Sequence, residues 1–137
     1  MSPTVKDPQK RFGEARVARL ATTNQDGTPH LVPIVFALVG RVVWTAVDAK
    51  PKSTTALRRL DNVRGHPRVS LLVDVYDDDW STLWWVRADG VAMILDVEAA
   101  AAGLDALIAK YPQYQEQRPP GPFLRIEVVR WSSWSAR

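Results

Sequence analysis

The chain contains no cysteine. That absence excludes thiolate zinc sites, iron–sulfur clusters, thiol nucleophiles and a disulfide scaffold, and it fits the reducing cytoplasm expected here. Histidine is scarce. His30 and His66 are the two, without HxxxH or HExxH spacing, so no metal site is expected. No Walker loop or GxSxG elbow occurs, and no Ser-His-Asp set can be argued. No apolar run approaches the ~20 residues of a membrane-spanning helix, and the first residues lack a signal-peptide core. No membrane partner is expected.

What is present is enough for one domain, residues 1–137, of 15.3 kDa. Folded chains of this mass expose roughly 7,100 Å², against about 22,000 Å² when extended, so the core needs no covalent staple. Hydrophobic residues make up 46%, too many for a disordered chain. The net charge of +3 is not evenly spread. Lys50, Lys52, Arg58, Arg59, Arg64 and Arg68 face Asp61 alone, whereas Asp74 to Asp79 is acidic. A local base excess fits a small anionic ligand better than a polyanion footprint, and the acidic run counts against nucleic acid. Six tryptophans ask for a very aromatic core or a site that uses flat rings.

Pattern and punctuation outline the elements. Residues 1–12 read as a loop and short helix, and Ala15–Thr23 as a strand closed by the Asp26-Gly27 turn. His30–Val39 is nearly all apolar, as in a strand buried on both faces, but Pro33 cannot donate to a ladder. It implies an edge, a bulge or a backbone that serves something else. Gly40-Arg41 turns the chain into strand Val42–Val47. A helix from Ser53 buries Ala56, Leu57, Leu60 and Val63, exposes Arg58, Arg59, Asp61 and Asn62, and ends at Gly65 and Pro67. Arg68–Tyr76 alternates with Val69, Leu71 and Val73 on one face. Thr82–Leu95 is a long strand with a bulge at Gly90, and Asp96–Tyr111 a helix. A Pro-rich loop, Pro112–Pro122, precedes strand Phe123–Trp131. The expected architecture is mainly β: a six-stranded antiparallel sheet with two or three short helices, long enough to curl into a small barrel.

Lys50, Lys52, Ser53, Thr54 and Thr55 gather two ammonium groups and three hydroxyls at a helix N-terminus, where free N–H groups favour a phosphate. An N-capped helix with solvated lysines reads equally well. Trp84 and Trp85 point to opposite strand faces, so one leaves the interior. Such an indole asks for cover from a ligand or a second subunit. Trp131 and Trp134 raise the same question, and Trp80 follows the acidic loop. A pocket without an acid–base set implies that a bound cofactor carries the chemistry.

Ala18-Arg19-Leu20-Ala21-Thr22, with Asp26-Gly27-Thr28-Pro29-His30-Leu31-Val32-Pro33-Ile34-Val35-Phe36, resembles the opening hairpin of the pyridoxamine 5′-phosphate oxidase-like split β-barrel family. The Lys-containing loop and His66-Pro67-Arg68-Val69-Ser70-Leu71-Leu72-Val73 follow in the family's order, so the resemblance spans roughly 12–131. The chain most resembles a short actinobacterial branch that binds the deazaflavin coenzyme F420. Thirteen arginines against five lysines agree with a GC-rich genome. The resemblance implies a cytoplasmic homodimer with cofactor at the interface. Lys52, Ser53 and Thr54 would hold its phosphate, with Lys50 and Thr55 close by. Val32, Pro33, Ile34 and Val35 would lie along its ring, and Trp44, Thr45 and Ala46 would line the same wall. Trp80, Trp84, Trp85 and Trp131 would come from the partner side. Pyridoxal-phosphate contacts find no clear match. The expected activity is hydride transfer between reduced F420 and a conjugated small molecule, with no catalytic side chain identified. An FMN enzyme of the same fold and a non-catalytic F420 carrier are the alternatives.

Overall fold

Alternating apolar residues in short strands can bury one face only by stacking that face over a shared core. The computed structural model describes residues 4–47 and 54–137, with side chains of the second stretch from Leu57 onward. In order it contains α1 (Pro8–Glu14), β1 (Ala18–Thr23), β2 (Pro29–Ile34), β3 (Ala37–Val39) and β4 (Val42–Ala46). Then come α2 (Thr54–Gly65), β5 (Arg68–Val75), β6 (Trp84–Leu95), α3 (Ala101–Lys110), α4 (Pro112–Glu116) and β7 (Phe123–Ser135). The strands form one antiparallel sheet in the order β2-β1-β5-β6-β7-β4-β3.

That order forces curvature. β2 and β3 occupy opposite sheet edges, yet only Val35 and Phe36 separate them in the chain. A flat seven-stranded sheet would hold its edges about 29 Å apart. The three steps from Ile34 to Ala37 reach at most about 11 Å. The sheet therefore curls until its edges meet, a barrel split between β2 and β3.

The inner face carries Leu20, Leu71, Val86, Ala88, Ile126 and Val128, all buried. α1 plugs one end: Phe12 is fully buried, its ring 5.0 Å from Phe36 and 5.2 Å from Trp131. A second cluster joins Trp44, Ala46, Leu104, Leu107, Tyr111 and Phe123 beneath α3. Glycine is needed there at 103, because a Cβ would lie 2.2 Å from the Trp44 ring. Gly27, at φ 87°, makes the first hairpin turn as its Asp-Gly pair implies.

Several expectations need correction. The sheet has seven strands, because the apolar run His30–Val39 breaks at Val35-Phe36. Nor is that run buried on both faces: β2 is an edge strand with Leu31 66% exposed, the first of Pro33's three implications. Among the described residues there are four α-helices, one of them a short piece of the Pro-rich segment. α2 exposes Leu57 and buries Asn62, whose amide reaches Thr22 and Asn24, both at 3.0 Å. The bulge lies opposite Gly90 in β7, where Val129 is the extra residue. β7 also runs past Trp131 and takes Trp134 into the sheet.

Candidate functional site

The split between β2 and β3 is where the ladder stops, so its polar backbone groups need other partners. Two side chains supply them from inside. The Thr45 hydroxyl on β4 donates to the Val35 carbonyl at 2.8 Å. The Tyr111 hydroxyl, at the C-cap of α3, accepts from the Phe36 N–H at 3.1 Å. The same hydroxyl lies 2.9 Å from the carbonyls of both Phe36 and Arg16, which share its single proton. Burial pushes the Tyr111 phenol up, which keeps that proton in place.

Beside it, Lys110 reaches back beneath α1. Its Nζ donates to the Gly13 carbonyl at 3.0 Å and the Ala15 carbonyl at 2.6 Å, and sits 3.9 Å from the Phe36 ring centroid. Burial, with the Arg16 charge behind it, pulls the Lys110 amine down to about 8. Arg16 in turn donates to the Lys110 carbonyl at 2.8 Å. One short stretch of α3 therefore fixes α1, the entry to β1 and the β2–β3 crossing.

The outer sheet face carries a different surface. Register places Leu31 opposite Ala21, and Trp85 opposite Asp74 on one side and Trp134 on the other. Leu31, Leu72, Tyr76 and Trp85 line a mostly apolar groove of about 520 Å³, edged by Arg19, Asp74 and Arg87. Arg19 and Asp74 pair across it at 3.5 Å. Trp80, on a single 3₁₀ turn (Trp80–Thr82), is 76% exposed. Beyond the groove, Asp89 accepts from the Ser70 hydroxyl at 2.6 Å and pairs with Arg87 and Arg130.

A cationic flank adjoins the first hairpin. His30 faces inward opposite Thr22, and its buried Nδ1 has no partner among the described residues. Desolvation, then the charges of Arg58 and Arg59, pull its imidazole below the ordinary range.

The expected site residues divide accordingly. Lys50, Lys52 and Ser53 lie outside the described residues, and Thr54 and Thr55 open α2. Pro33 lies on the outer face of β2, opposite Arg19, while Val32 and Ile34 turn inward. Val35 lies at the split and packs on the cluster beneath α3. Trp44, Thr45 and Ala46 are buried, with Trp44 held against Gly103. Trp84 and Trp131 pack on the inner core, Trp84 with the Arg11 guanidinium 4.8 Å from its centroid. Trp85 and its cross-strand partner Trp134 lie on the outer face, and Trp80 is exposed. Leu31, Leu72 and Tyr76 escaped the sequence reading, although strand alternation already put Leu72 on the outer face. Tyr111 ends the helix expected over Asp96–Tyr111, and nothing in spacing marks its hydroxyl as a partner of position 36.

A family profile described as pyridoxamine 5′-phosphate oxidase matches residues 6–135. The chain belongs to the pyridoxamine 5′-phosphate oxidase family. Comparison with curated proteins gave no match. Among solved structures, a conserved hypothetical protein of Mycobacterium tuberculosis is 26% identical at a TM-score of 0.78, covering 100% of this chain and 89% of its own. An FAD-binding protein of Mesorhizobium loti is 23% identical at a TM-score of 0.72, covering 97% and 96%. A protein named F420 reductase is 18% identical at a TM-score of 0.65, covering 93% and 98%. The latter two similarities speak for the fold. No helix among the described residues is long and apolar enough to cross a membrane.

Proposed function

We propose that this member of the pyridoxamine 5′-phosphate oxidase family is an F420-dependent oxidoreductase that works as a homodimer on a conjugated small molecule. The observation that carries the reading is the outward aromatic groove of Leu31, Leu72, Tyr76 and Trp85, set on the same sheet edge as the split. Flat apolar walls suit a ring system, and a second copy seated on this face would enclose it.

The residues fit an anionic, ring-bearing cofactor. Arg58 lies on α2 and its charge, with that of Arg59, reaches His30 on β2, so this end of the sheet is basic. Lys50, Lys52, Ser53, Thr54 and Thr55 precede and open α2 and would hold that phosphate. The free edge of β2 at Pro33–Val35 would meet the polar rim of the ring. When bound, F420 supplies a hydride-exchanging carbon centre. The chain's residues bind, orient and exclude water: Trp85 and Leu72 wall the groove, and the Arg19–Asp74 pair closes one rim. Solvent or a rim side chain supplies the proton. Proteins of this fold include one named F420 reductase and one named FAD-binding protein, so FMN is the competing ligand to test.

Titration of the purified protein with F420 and with FMN, followed by tryptophan quenching, separates these cases. Tight, saturable F420 binding that weakens in Lys52→Ala supports the assignment. Tight FMN binding without F420 binding replaces F420 by FMN. Oxidation of reduced F420 by a panel of conjugated acceptors distinguishes an enzyme from a carrier, which would stay inert throughout. Sedimentation velocity tests the dimer, and a monomer at every concentration contradicts it.

A further inference from the structure

The split is the one place where the sheet edges could slide past each other, yet it is pinned from inside. We infer that Tyr111 and Thr45 are positioning residues for the proposed cofactor: they fix the Val35–Phe36 crossing, and with it the backbone edge of β2 that would meet the ring. The inference rests on the F420/flavin reading given above.

Three observations converge. First, Val35 and Phe36 lie outside any ladder, so no strand partner sets their conformation. Second, three of their four backbone polar groups meet side chains from two other elements: the Val35 carbonyl meets Thr45 at 2.8 Å, and the Phe36 N–H and carbonyl meet Tyr111 at 3.1 and 2.9 Å. Third, both anchors are buried, so water cannot readily substitute for either hydroxyl. Pro33 adds to this. It has no N–H and a restricted φ, so the strand approaches the crossing with fewer alternatives. A binding edge held to within about half an ångström distinguishes an aligned ring from one loosely bound. Here the alignment would be set by a hydroxyl carried on a helix, behind the site.

Tyr111 and Thr45 act through backbone and would touch no cofactor. Their loss should therefore weaken recognition of the ring and leave the phosphate's share intact. Tyr111→Phe and Thr45→Val each remove one hydroxyl with little change in shape. Wild type and both variants would be titrated with FMN, with riboflavin, and with F420, well below their melting temperatures. Circular dichroism and thermal melts would confirm that each variant is folded. Expected is an affinity loss of about tenfold for F420, and an equal loss for FMN and for riboflavin where wild type binds them, with a shift of the bound ring's visible band. Lys52→Ala, by contrast, should change the ratio of FMN to riboflavin affinity. Unchanged affinities and band position in both folded variants would overturn the positioning role while leaving the cofactor reading in place. If wild type binds none of the three, the cofactor reading itself falls and takes this role with it. Should Tyr111→Phe fail to fold, Thr45→Val decides alone, through the Val35 carbonyl.

Discussion

Trp84 and Trp85 are neighbours in the chain, and the two faces of one sheet treat them differently. Trp84 and Trp131 turn inward, meeting the Arg11 guanidinium and the Phe12 ring at the barrel end that α1 closes. Trp85 and Trp134 pair across β6 and β7 on the other side, and Trp85 lines a groove with Leu31, Leu72 and Tyr76. Period-two alternation alone divides them. The inner pair stabilises one chain. The outer pair spends apolar surface that one chain does not need. A protein retains such a surface when something flat or a second copy covers it.

The comparison can be broken most easily from the inside. Phe12→Ala removes a fully buried ring between Phe36 and Trp131, and urea unfolding should show a loss of about 3–5 kcal/mol. A loss below about 1 kcal/mol would mean that α1 is a dispensable cover. Gly103→Ala comes next. Its new methyl would collide with the Trp44 ring, costing about 1–3 kcal/mol by the same measurement. On the outer face Leu31→Ser should leave monomer stability within about 0.5 kcal/mol, yet shift the sedimentation coefficient toward the monomer. A large stability loss without any change in assembly would erase the distinction between the faces.

Stability also depends on pH through Lys110. Burial holds the Lys110 amine at about 8, below its ordinary 10.5, so between those values the unfolded chain carries a proton that the folded chain has released. Lys110 therefore makes stability rise as pH increases from about 8 to about 10.5. A neutral amine still has the hydrogens to serve both Gly13 and Ala15 carbonyls, so the contact survives the loss of charge. In Lys110→Met that segment of the melting-temperature profile should flatten. An identical slope in the variant would assign the rise to other groups.

Much of the fold was legible because punctuation and alternation act locally. Asp26-Gly27 supplied its turn, Val69, Leu71 and Val73 their inward face, and Pro33 its edge. The break at Val35-Phe36 was not legible, since both residues are apolar and the reason for it, a tyrosine at position 111, is 75 residues further on. Asn62 and Leu57 exchanged faces for a similar cause: α2 meets a polar patch at Thr22 and Asn24, and only the tertiary arrangement creates that patch. The candidate site was legible in part. Trp85 followed from adjacency to Trp84, whereas the groove required strands β1, β2, β5 and β6 to lie side by side.

The central claim is that the outer face binds a flat redox ring between two copies. It is tested most directly by titrating wild type and Trp85→Ala with F420 under tryptophan fluorescence. Expected is saturable quenching at one ring per chain in wild type, and affinity weaker by about tenfold or more in the variant. Equal affinity in the two proteins, or the absence of saturable binding by wild type, would contradict it.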